Sequence, residues 1–265
     1  MTAKTPEPRA DPYTTAKLAL ACLDLTSLND ADTEADVRKL CARANGLHGA
    51  VAAVCVWPRF AALARRELPS SIAVAAVANF PDGSADIERA LRDTRAIVDA
   101  GAQEVDVVLP FVRLQQGDER VVAALLAAVR AACPGLVLKV ILETGVLVDA
   151  ALIARASQLS LDAGADFLKT STGKTPVSAT TQAASVMLRT IAADARASSR
   201  AGFKASGGIR TVADVAVYVA LVESSLGAGG LGPKRFRIGA SGLLNDIEVV
   251  LGGASAPPPG APGSY

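Results

Sequence analysis

The stretch Asp162-Ala-Gly-Ala-Asp-Phe-Leu-Lys-Thr-Ser-Thr-Gly-Lys174 predicts, in succession, the end of a helix, a short buried strand and a polar loop. Glycine just past a helix supplies the left-handed residue that turns the chain back. The same Asp-Ala-Gly-Ala joint occurs at residues 99–102, directly before the apolar segment Glu104–Leu109. A joint that recurs in this way indicates a repeated helix-to-strand unit, with two units between the copies.

Outward from this stretch, the chain alternates short apolar segments with longer helical ones. Eight strands are expected, at residues 23–26, 50–56, 72–78, 104–109, 136–142, 166–169, 202–206 and 236–239. This alternation favours an α/β fold, a (β/α)8 TIM barrel in a single domain, although a doubly wound sheet alternates in the same way. The barrel is expected over residues 14–251, between a flexible leader at 1–13 and a mobile Pro/Gly-rich tail at 252–265. Pro176 is expected near the start of the long helix after the sixth strand.

The composition of the chain excludes several classes of protein. Lys and Arg number 27 and Asp and Glu 26, a formal charge of +1 that gives no electrostatic case for nucleic acid or an anionic membrane. No uncharged apolar run is long enough to span a bilayer and the N-terminus lacks the apolar core of a signal peptide, so a cytoplasmic protein is expected. The four cysteines are widely spaced and there is one histidine, so neither a disulfide framework nor a His-rich metal site is expected.

Several of the predicted strands carry ionisable residues. They are Asp106, Lys139 with Glu143, Lys169 and Lys204. In a barrel, polar groups near the carboxyl ends of the strands face one shared mouth, where active sites lie. Lys169 and Lys204 are one strand-helix unit apart and should occupy neighbouring strands. Lys139 and Glu143 should share one face of their strand, where a supporting ion pair between them is at least as good an interpretation as a chemical role.

Lys169 is the candidate nucleophile. A charged amine in an apolar strand is unfavourable, and a neighbouring amine such as Lys204 lowers its pKa further. A neutral lysine attacks carbonyl carbons to form a Schiff base, and Asp106 is a candidate for moving protons beside it. The alternative is a structural network in which these lysines pair with carboxylates and hold the barrel mouth together.

Three loops with glycines and hydroxyls are typical of anion cradles. Thr170–Lys174 follows the sixth strand, Ser206–Arg210 the seventh and Gly239–Gly242 the eighth. Glycine lets backbone N–H groups approach an anion closely, and barrels often bind phosphate in the loops after strands seven and eight. Together with the cation of Lys174, these loops favour a phosphorylated substrate.

These segments, in this order, resemble the deoxyribose-phosphate aldolases, a family of cofactor-free class I aldolases with a barrel fold. The resemblance runs from about Leu23 to Leu244 and includes the terminal residue. The matching segments are Leu23-Asp-Leu-Thr26, Val54-Cys-Val-Trp-Pro-Arg-Phe60, Asn79-Phe-Pro81, Glu104-Val-Asp-Val-Val108, Leu138-Lys-Val-Ile-Leu-Glu-Thr-Gly145, Phe167-Leu-Lys-Thr-Ser-Thr-Gly-Lys174, Lys204-Ala-Ser-Gly-Gly-Ile-Arg210 and Ile238-Gly-Ala-Ser241.

The resemblance implies reversible cleavage of 2-deoxy-D-ribose 5-phosphate to acetaldehyde and D-glyceraldehyde 3-phosphate, with no metal and no cofactor. Its implied partners are small phosphorylated sugars and aldehydes, and it is compatible with a homodimer. Lys169 would form the Schiff base, Lys204 would tune it and Asp106 would work in the proton relay. Tyr265 matches a C-terminal tyrosine that assists proton exchange at the enamine carbon, although by sequence alone a frayed tail is the default interpretation of that residue.

The resemblance also assigns substrate contacts. The residues implied to line the phosphate pocket are Lys174, Gly207, Gly208 and Ser241, and those implied to position the substrate or the relay are Asp24, Lys139 and Thr172. Gly242 belongs to the same pocket but departs from the family, in which a second serine is common, so a hydroxyl that would bind phosphate is missing.

Other functions share some of these features, and one of them is that of another barrel aldolase. A phosphosugar isomerase would use Asp106 or Glu143 as its base without a covalent intermediate. A phosphosugar-binding regulator would keep the phosphate loops and have no need of the paired lysines.

Overall fold

Eight parallel strands close into a barrel, which confirms the predicted α/β fold and excludes an open doubly wound sheet. The computed structural model describes residues 11–253. The barrel strands, β1 to β8, are Leu23–Thr26, Ala53–Val56, Ala73–Ala78, Glu104–Val108, Val137–Ile141, Phe167–Lys169, Gly202–Ser206 and Phe236–Ala240. Each strand pairs in parallel with the next, and β8 returns to β1, where Leu23 aligns with Ile238, to close the ring.

Eleven α-helices occur within residues 11–253. In chain order, α1 to α11 are Pro12–Cys22, Glu34–Arg43, Pro58–Glu67, Ile87–Asp99, Phe111–Gln115, Glu119–Ala132, Thr144–Leu147, Ala150–Asp162, Thr181–Ala193, Val212–Leu226 and Leu243–Leu251. A 3₁₀ turn lies at Ala228–Gly230. Between α2 and β2, Asn45–Gly46 and Gly49–Ala50 pair as a short antiparallel ribbon that the sequence did not predict.

The two Asp-Ala-Gly-Ala joints have the predicted geometry. Helices α4 and α8 end at the aspartate of each joint, and the glycines that follow, Gly101 and Gly164, have φ of 74° and 87°. The residue after each glycine donates its backbone N–H to a carbonyl in the last turn of the helix, Ile97 or Ser160. The left-handed glycine therefore turns the chain directly into β4 and β6.

Two helix starts differ from the prediction, and β2 begins at Ala53 rather than at residue 50. Helix α1 begins at Pro12, inside the expected leader, because the Asp11 carboxylate accepts the Thr14 N–H and caps the first turn. Helix α9 begins at Thr181 and not near Pro176, because the Thr180 hydroxyl caps it by accepting the Ala183 N–H. The rest of the expected leader and the expected tail beyond Gly253 lie outside the described residues.

Other expectations from composition can be compared with the structure. All four cysteines are free and buried. The single histidine, His48, is exposed in the turn of the short ribbon. Across the described part of the chain, no helix has both the length and the apolar character that a bilayer crossing requires.

The barrel wall is built unevenly, and this creates room inside it. Strands β2 and β3 consist only of Ala, Val and Cys, and Ala53 and Cys55 align with Ala73 and Ala75 across them. The opposite strands, β4 to β8, carry long charged side chains. Because the small residues leave space, those long side chains extend across the barrel interior and fill it.

Candidate active site

Seven ionisable side chains meet inside the barrel and form a buried cluster, which we call the charge chamber. Its members are the carboxylates of Asp24, Glu104 and Asp106 and the cations of Lys139, Lys169, Lys204 and Arg237. The strand register brings them together, since Asp106 aligns with Lys139 and Lys169 aligns with Lys204 on neighbouring strands. Residues paired in register point to the same face of a sheet, which here is the interior of the barrel.

Asp106 is the centre of the chamber. Its Oδ2 accepts hydrogen bonds from Lys169 Nζ at 2.9 Å and from Lys204 Nζ at 2.8 Å, and its Oδ1 accepts from Lys139 Nζ at 2.8 Å. The two lysines that the sequence placed on neighbouring strands therefore share one carboxylate oxygen. A proton can pass between them through that oxygen without crossing open solvent.

Arg237 and Glu104 form the lower part of the chamber. Arg237 donates to Asp24 Oδ1 at 2.6 Å and to Glu104 Oε1 at 2.7 Å. The other oxygens of these carboxylates bind lysines, with Lys204 2.5 Å from Asp24 and Lys139 2.5 Å from Glu104. The sequence analysis did not single out Arg237, although it carries the same signal as the lysines: a charge inside a short buried strand.

The number of ion-pair partners differs among the three lysines. Among residues 11–253, Lys139 lies within 4.0 Å of three carboxylates, Lys204 of two, and Lys169 of one, that of Asp106. If all seven groups were ionised, four cations would face three carboxylates and the chamber would hold one surplus positive charge. Surplus charge away from water is unfavourable, and Lys169, with the fewest partners, loses least when it gives up its proton.

The pKa directions agree with this count. Burial, partly opposed by Asp106 and reinforced by the Lys204 cation, lowers the pKa of Lys169 below its ordinary value. Burial acts on Lys204 too, but Asp106 and Asp24 outweigh it and raise the pKa of that amine. Burial, ahead of the neighbouring cation, is therefore the larger of the two effects that favour the neutral form of Lys169.

A cavity of about 450 Å³ opens above the chamber at the carboxyl ends of the strands. It is lined by the loops after β1, β6, β7 and β8, whose residues are Thr26, Ser27, Leu28, Asn29, Thr172, Gly173, Lys174, Ser206, Gly207, Gly208, Ile209, Arg210, Gly239, Ala240, Ser241 and Gly242. Gly239 connects it to the chamber, because a Cβ there would lie 3.0 Å from Lys204 Cε and 2.6 Å from Ser206 Oγ. Glycine at this position keeps the passage toward the lysines open.

The cavity has the features of an anion site. Lys174 and Arg210 line it, and neither has a carboxylate within 4.0 Å in the described part of the chain. Gly207 and Gly208 have φ of 85° and 81°, so their loop adopts a backbone that other residues rarely adopt. Helix α11 begins just after Gly242, which supplies no side-chain cap, so its first N–H groups are open to a ligand.

Glu143 does not pair with Lys139, and the predicted supporting pair is wrong. Strand β5 ends before Glu143, whose φ of 55° turns its side chain away from the line of the strand. Its carboxylate accepts instead from the hydroxyls of Thr172 and Thr175. Glu143 therefore fixes the loop after β6, which carries Lys174 to the cavity.

The structure thus separates the predicted site residues into two groups. Asp106, Lys169, Lys204, Asp24 and Lys139 lie in the chamber, where all but Lys169 are completely buried and Lys169 is 2% exposed. Those that line the cavity are Thr172, Lys174, Gly207, Gly208, Ser241 and Gly242. Tyr265 lies outside the described residues.

A family with this arrangement can be assigned by comparison. A model of the DeoC/LacD family of aldolases matches residues 18–247, which include every barrel strand and every member of the chamber. This chain belongs to the DeoC/LacD family of aldolases. Family membership makes it a lyase and favours aldol chemistry over the isomerase and the regulator.

Solved structures support the assignment. The aldolase is similar to a candidate deoxyribose-phosphate aldolase from Coccidioides immitis, with 30% identity, a TM-score of 0.77, and coverage of 93% of this chain and 88% of that one. It is also similar to the tetrameric deoxyribose phosphate aldolase from Aeropyrum pernix, with 26% identity, a TM-score of 0.69, and coverage of 92% and 98%. A Toxoplasma gondii structure at 24% identity, with a TM-score of 0.84 and coverage of 92% and 98%, shares the fold.

Proposed function

We propose that this aldolase is a class I enzyme that reversibly cleaves 2-deoxy-D-ribose 5-phosphate to acetaldehyde and D-glyceraldehyde 3-phosphate, in the breakdown of deoxyribose phosphates. The observation that carries the proposal is the unequal pairing of three buried lysines, which leaves Lys169 with one carboxylate partner and a lowered pKa. A neutral amine is the form that attacks an aldehyde.

In the cleavage direction, Lys169 Nζ attacks C1 of the open-chain sugar, and loss of water leaves an iminium ion. The iminium draws the electron pair of the C2–C3 bond, so C2 becomes part of an enamine and C3 becomes the carbonyl of glyceraldehyde 3-phosphate. Protonation of C2 and hydrolysis of the imine then release acetaldehyde and restore the amine.

Asp106 and Lys204 carry the protons of this sequence. When the C2–C3 bond breaks, the C3 hydroxyl gives up a proton, and Asp106 takes it, directly or through water. Because Oδ2 of Asp106 is 2.8 Å from Lys204 Nζ, the protonated Lys204 can give up a proton for C2 and recover one from Asp106, which has taken the proton of the C3 hydroxyl. Lys139 and Asp24 hold the two relay groups in place from below.

The phosphate is bound in the cavity above the chamber. Lys174 and Arg210 supply positive charge, and the Gly207-Gly208 loop supplies backbone N–H groups. Ser241 and the N-terminus of α11 close the other side, with Gly242 in place of a second hydroxyl. Phosphate held there sets the depth at which the sugar chain reaches Lys169.

Three expectations stay predictions. Tyr265 is assigned to proton exchange at the enamine carbon, so deleting it should lower turnover more than phosphate affinity. A homodimer is compatible with the family resemblance and is tested by light scattering. A cytoplasmic location is compatible with the four free, buried cysteines and is tested by fractionation.

The test is turnover of 2-deoxy-D-ribose 5-phosphate, followed as acetaldehyde release, by the wild type and the Lys169→Leu variant. We expect turnover by the wild type and a loss in the variant of at least on the order of 10⁴-fold, since removal of a nucleophile abolishes the covalent route. Lys39→Leu, on the exposed face of α2, is the matched control and should behave as the wild type. Equal rates for wild type and Lys169→Leu would remove the proposed role of Lys169.

A further inference from the structure

Arg237 is the cation of the charge chamber to which the proposed chemistry gives no role. Its guanidinium is held on every side: Nε donates to the Pro233 carbonyl at 2.5 Å, and two nitrogens reach Asp24 and Glu104. The ring of Phe167 lies 5.5 Å from the guanidinium, and Gly202 makes room for that ring, since a Cβ at residue 202 would lie 2.3 Å from it. Arg237 is thus fixed in position and largely shielded from water.

A guanidinium in such a setting cannot give up its proton. Burial disfavours its charge, but Asp24 and Glu104 outweigh burial and raise the pKa of Arg237 above its ordinary value. Lysine amines lose a proton far more readily than guanidinium does. Any surplus of positive charge in the chamber must therefore be relieved at a lysine.

Arg237 also decides which lysine this is. It occupies Asp24 Oδ1 and both oxygens of Glu104, and these two carboxylates are the ones that also bind Lys204 and Lys139. Neither contacts Lys169 within 4.0 Å. Without the arginine, three carboxylates would face three lysines, and all three lysines could stay protonated with no surplus charge.

We propose that Arg237 is a positioning residue: its fixed charge on Asp24 and Glu104 gives the chamber one cation too many, and Lys169, with a single carboxylate contact, is the group left neutral. Arg237 acts through the chamber and touches no reacting atom. The inference rests on the proposed function, because it explains how the nucleophile of that function is kept uncharged.

In the described part of the chain, the titratable groups that act most strongly on Lys169 come from three other strands. They are Asp106 from β4, Lys204 from β7 and the Cys55 thiol from β2. Burial raises the pKa of Cys55, so that thiol stays neutral near neutral pH and adds no charge. Beyond them stand the remaining members of the chamber, Asp24, Glu104, Lys139 and Arg237.

The experiment measures the protonation of Lys169 directly, without reference to turnover. The full chain is labelled with [¹³C]lysine, the ¹³Cε signal of Lys169 is assigned by its loss in Lys169→Arg, and its chemical shift is followed with pH. Arg237→Gln should raise the titration midpoint by about one pH unit or more, because a nearby cation has been removed. Glu104→Gln should lower it, and the double variant should bring it back toward the wild-type value.

The opposite signs separate this role from mere support of the fold, since structural damage would not move the midpoint in two directions. Arg155→Gln, which removes an exposed arginine paired with Glu119, is the control and should leave the midpoint unchanged. If Arg237→Gln does not fold, Glu104→Gln and Arg237→Lys still decide: the first should lower the midpoint, and the second, which keeps the charge, should hold it near wild type.

Two negative results are distinguishable. A low wild-type midpoint that Arg237→Gln and Glu104→Gln leave unchanged would overturn the role of Arg237 and leave the Schiff-base proposal intact. A wild-type midpoint in the ordinary lysine range would overturn both.

Discussion

The charge chamber and the cavity above it both contain cations, but they treat those cations in opposite ways. In the chamber every cation has at least one carboxylate within 4.0 Å, and the seven groups lie almost entirely out of water. In the cavity, Lys174 and Arg210 are exposed and, within residues 11–253, have no carboxylate that close. We therefore propose that the chamber controls where protons reside and that the cavity offers its charge to a ligand.

Because of this difference, we expect substitutions in the two regions to have different effects. A change in the chamber should alter the chemical step and its pH dependence. A change in the cavity should alter the binding of phosphorylated substrate and leave the chemical step nearly intact.

The largest effect is expected from Asp106→Asn. The amide keeps the shape of the side chain but cannot accept a proton or balance three lysines, so kcat should fall by about 10²- to 10⁴-fold, the usual range for a lost acid-base group. Steady-state kinetics on 2-deoxy-D-ribose 5-phosphate measures it. The control is Asp82→Asn, whose exposed carboxylate pairs with Arg89 of α4 and lies outside the charge chamber. A kcat within about threefold of the wild-type value would contradict a role for Asp106 in the relay.

In the cavity, Lys174→Met should raise KM for the phosphorylated sugar by about tenfold, the value of one charge-assisted hydrogen bond, with little change in kcat. The same variant should not alter KM for 2-deoxy-D-ribose, which has no phosphate. The comparison of the two sugars is the internal control. An equal loss with both would show that Lys174 supports the loop and not the phosphate.

The pH profile of kcat/KM should report the protonation of Lys169. Because protonated lysine is unreactive, the rate should fall about tenfold for each pH unit below the lowered pKa of Lys169, and that fall should begin below the ordinary lysine range. Lys174→Met should keep this acid limb in place, since it lies outside the chamber. A limb that begins at ordinary lysine pKa values would contradict the neutral nucleophile.

The smallest effect is expected from Gly242→Ser. Gly242 has φ of −91° and ψ of −17°, and a Cβ there meets nothing within 4 Å, so serine fits without strain. A hydroxyl pointing into the cavity should add one hydrogen bond and lower KM for the phosphorylated sugar by about fivefold. Gly242→Ala is the matched control. If serine and alanine give the same KM, the missing hydroxyl has no part in phosphate binding.

The sequence predicted the features that depend on neighbours along the chain. The joints at Gly101 and Gly164 predicted the helix-to-strand repeat correctly, because a left-handed glycine turns the chain without help from distant residues. Lys169 and Lys204 were placed together because adjacent strands follow one another in the chain. The helix start predicted near Pro176 was wrong because proline is also common in loops. The helix begins instead where the Thr180 hydroxyl caps its first turn.

The sequence did not predict the part of the charge chamber that Arg237 and Glu104 form. Arg237 and Glu104 lie on strands far apart in the chain, and their contact crosses the barrel interior. Which oxygens Arg237 reaches depends on the stagger of all eight strands, which no local pattern encodes. Glu143 was misplaced for a related reason, since its left-handed backbone, and not strand alternation, directs its side chain to Thr172.

The most direct test is to trap the intermediate. The aldolase is incubated with acetaldehyde and reduced with borohydride, and the modified peptide is identified by mass spectrometry. The account predicts a single ethyl adduct on Lys169, with Lys204 and Lys139 unmodified because their carboxylate partners keep them protonated. An adduct on Lys204, or none on Lys169, would contradict it.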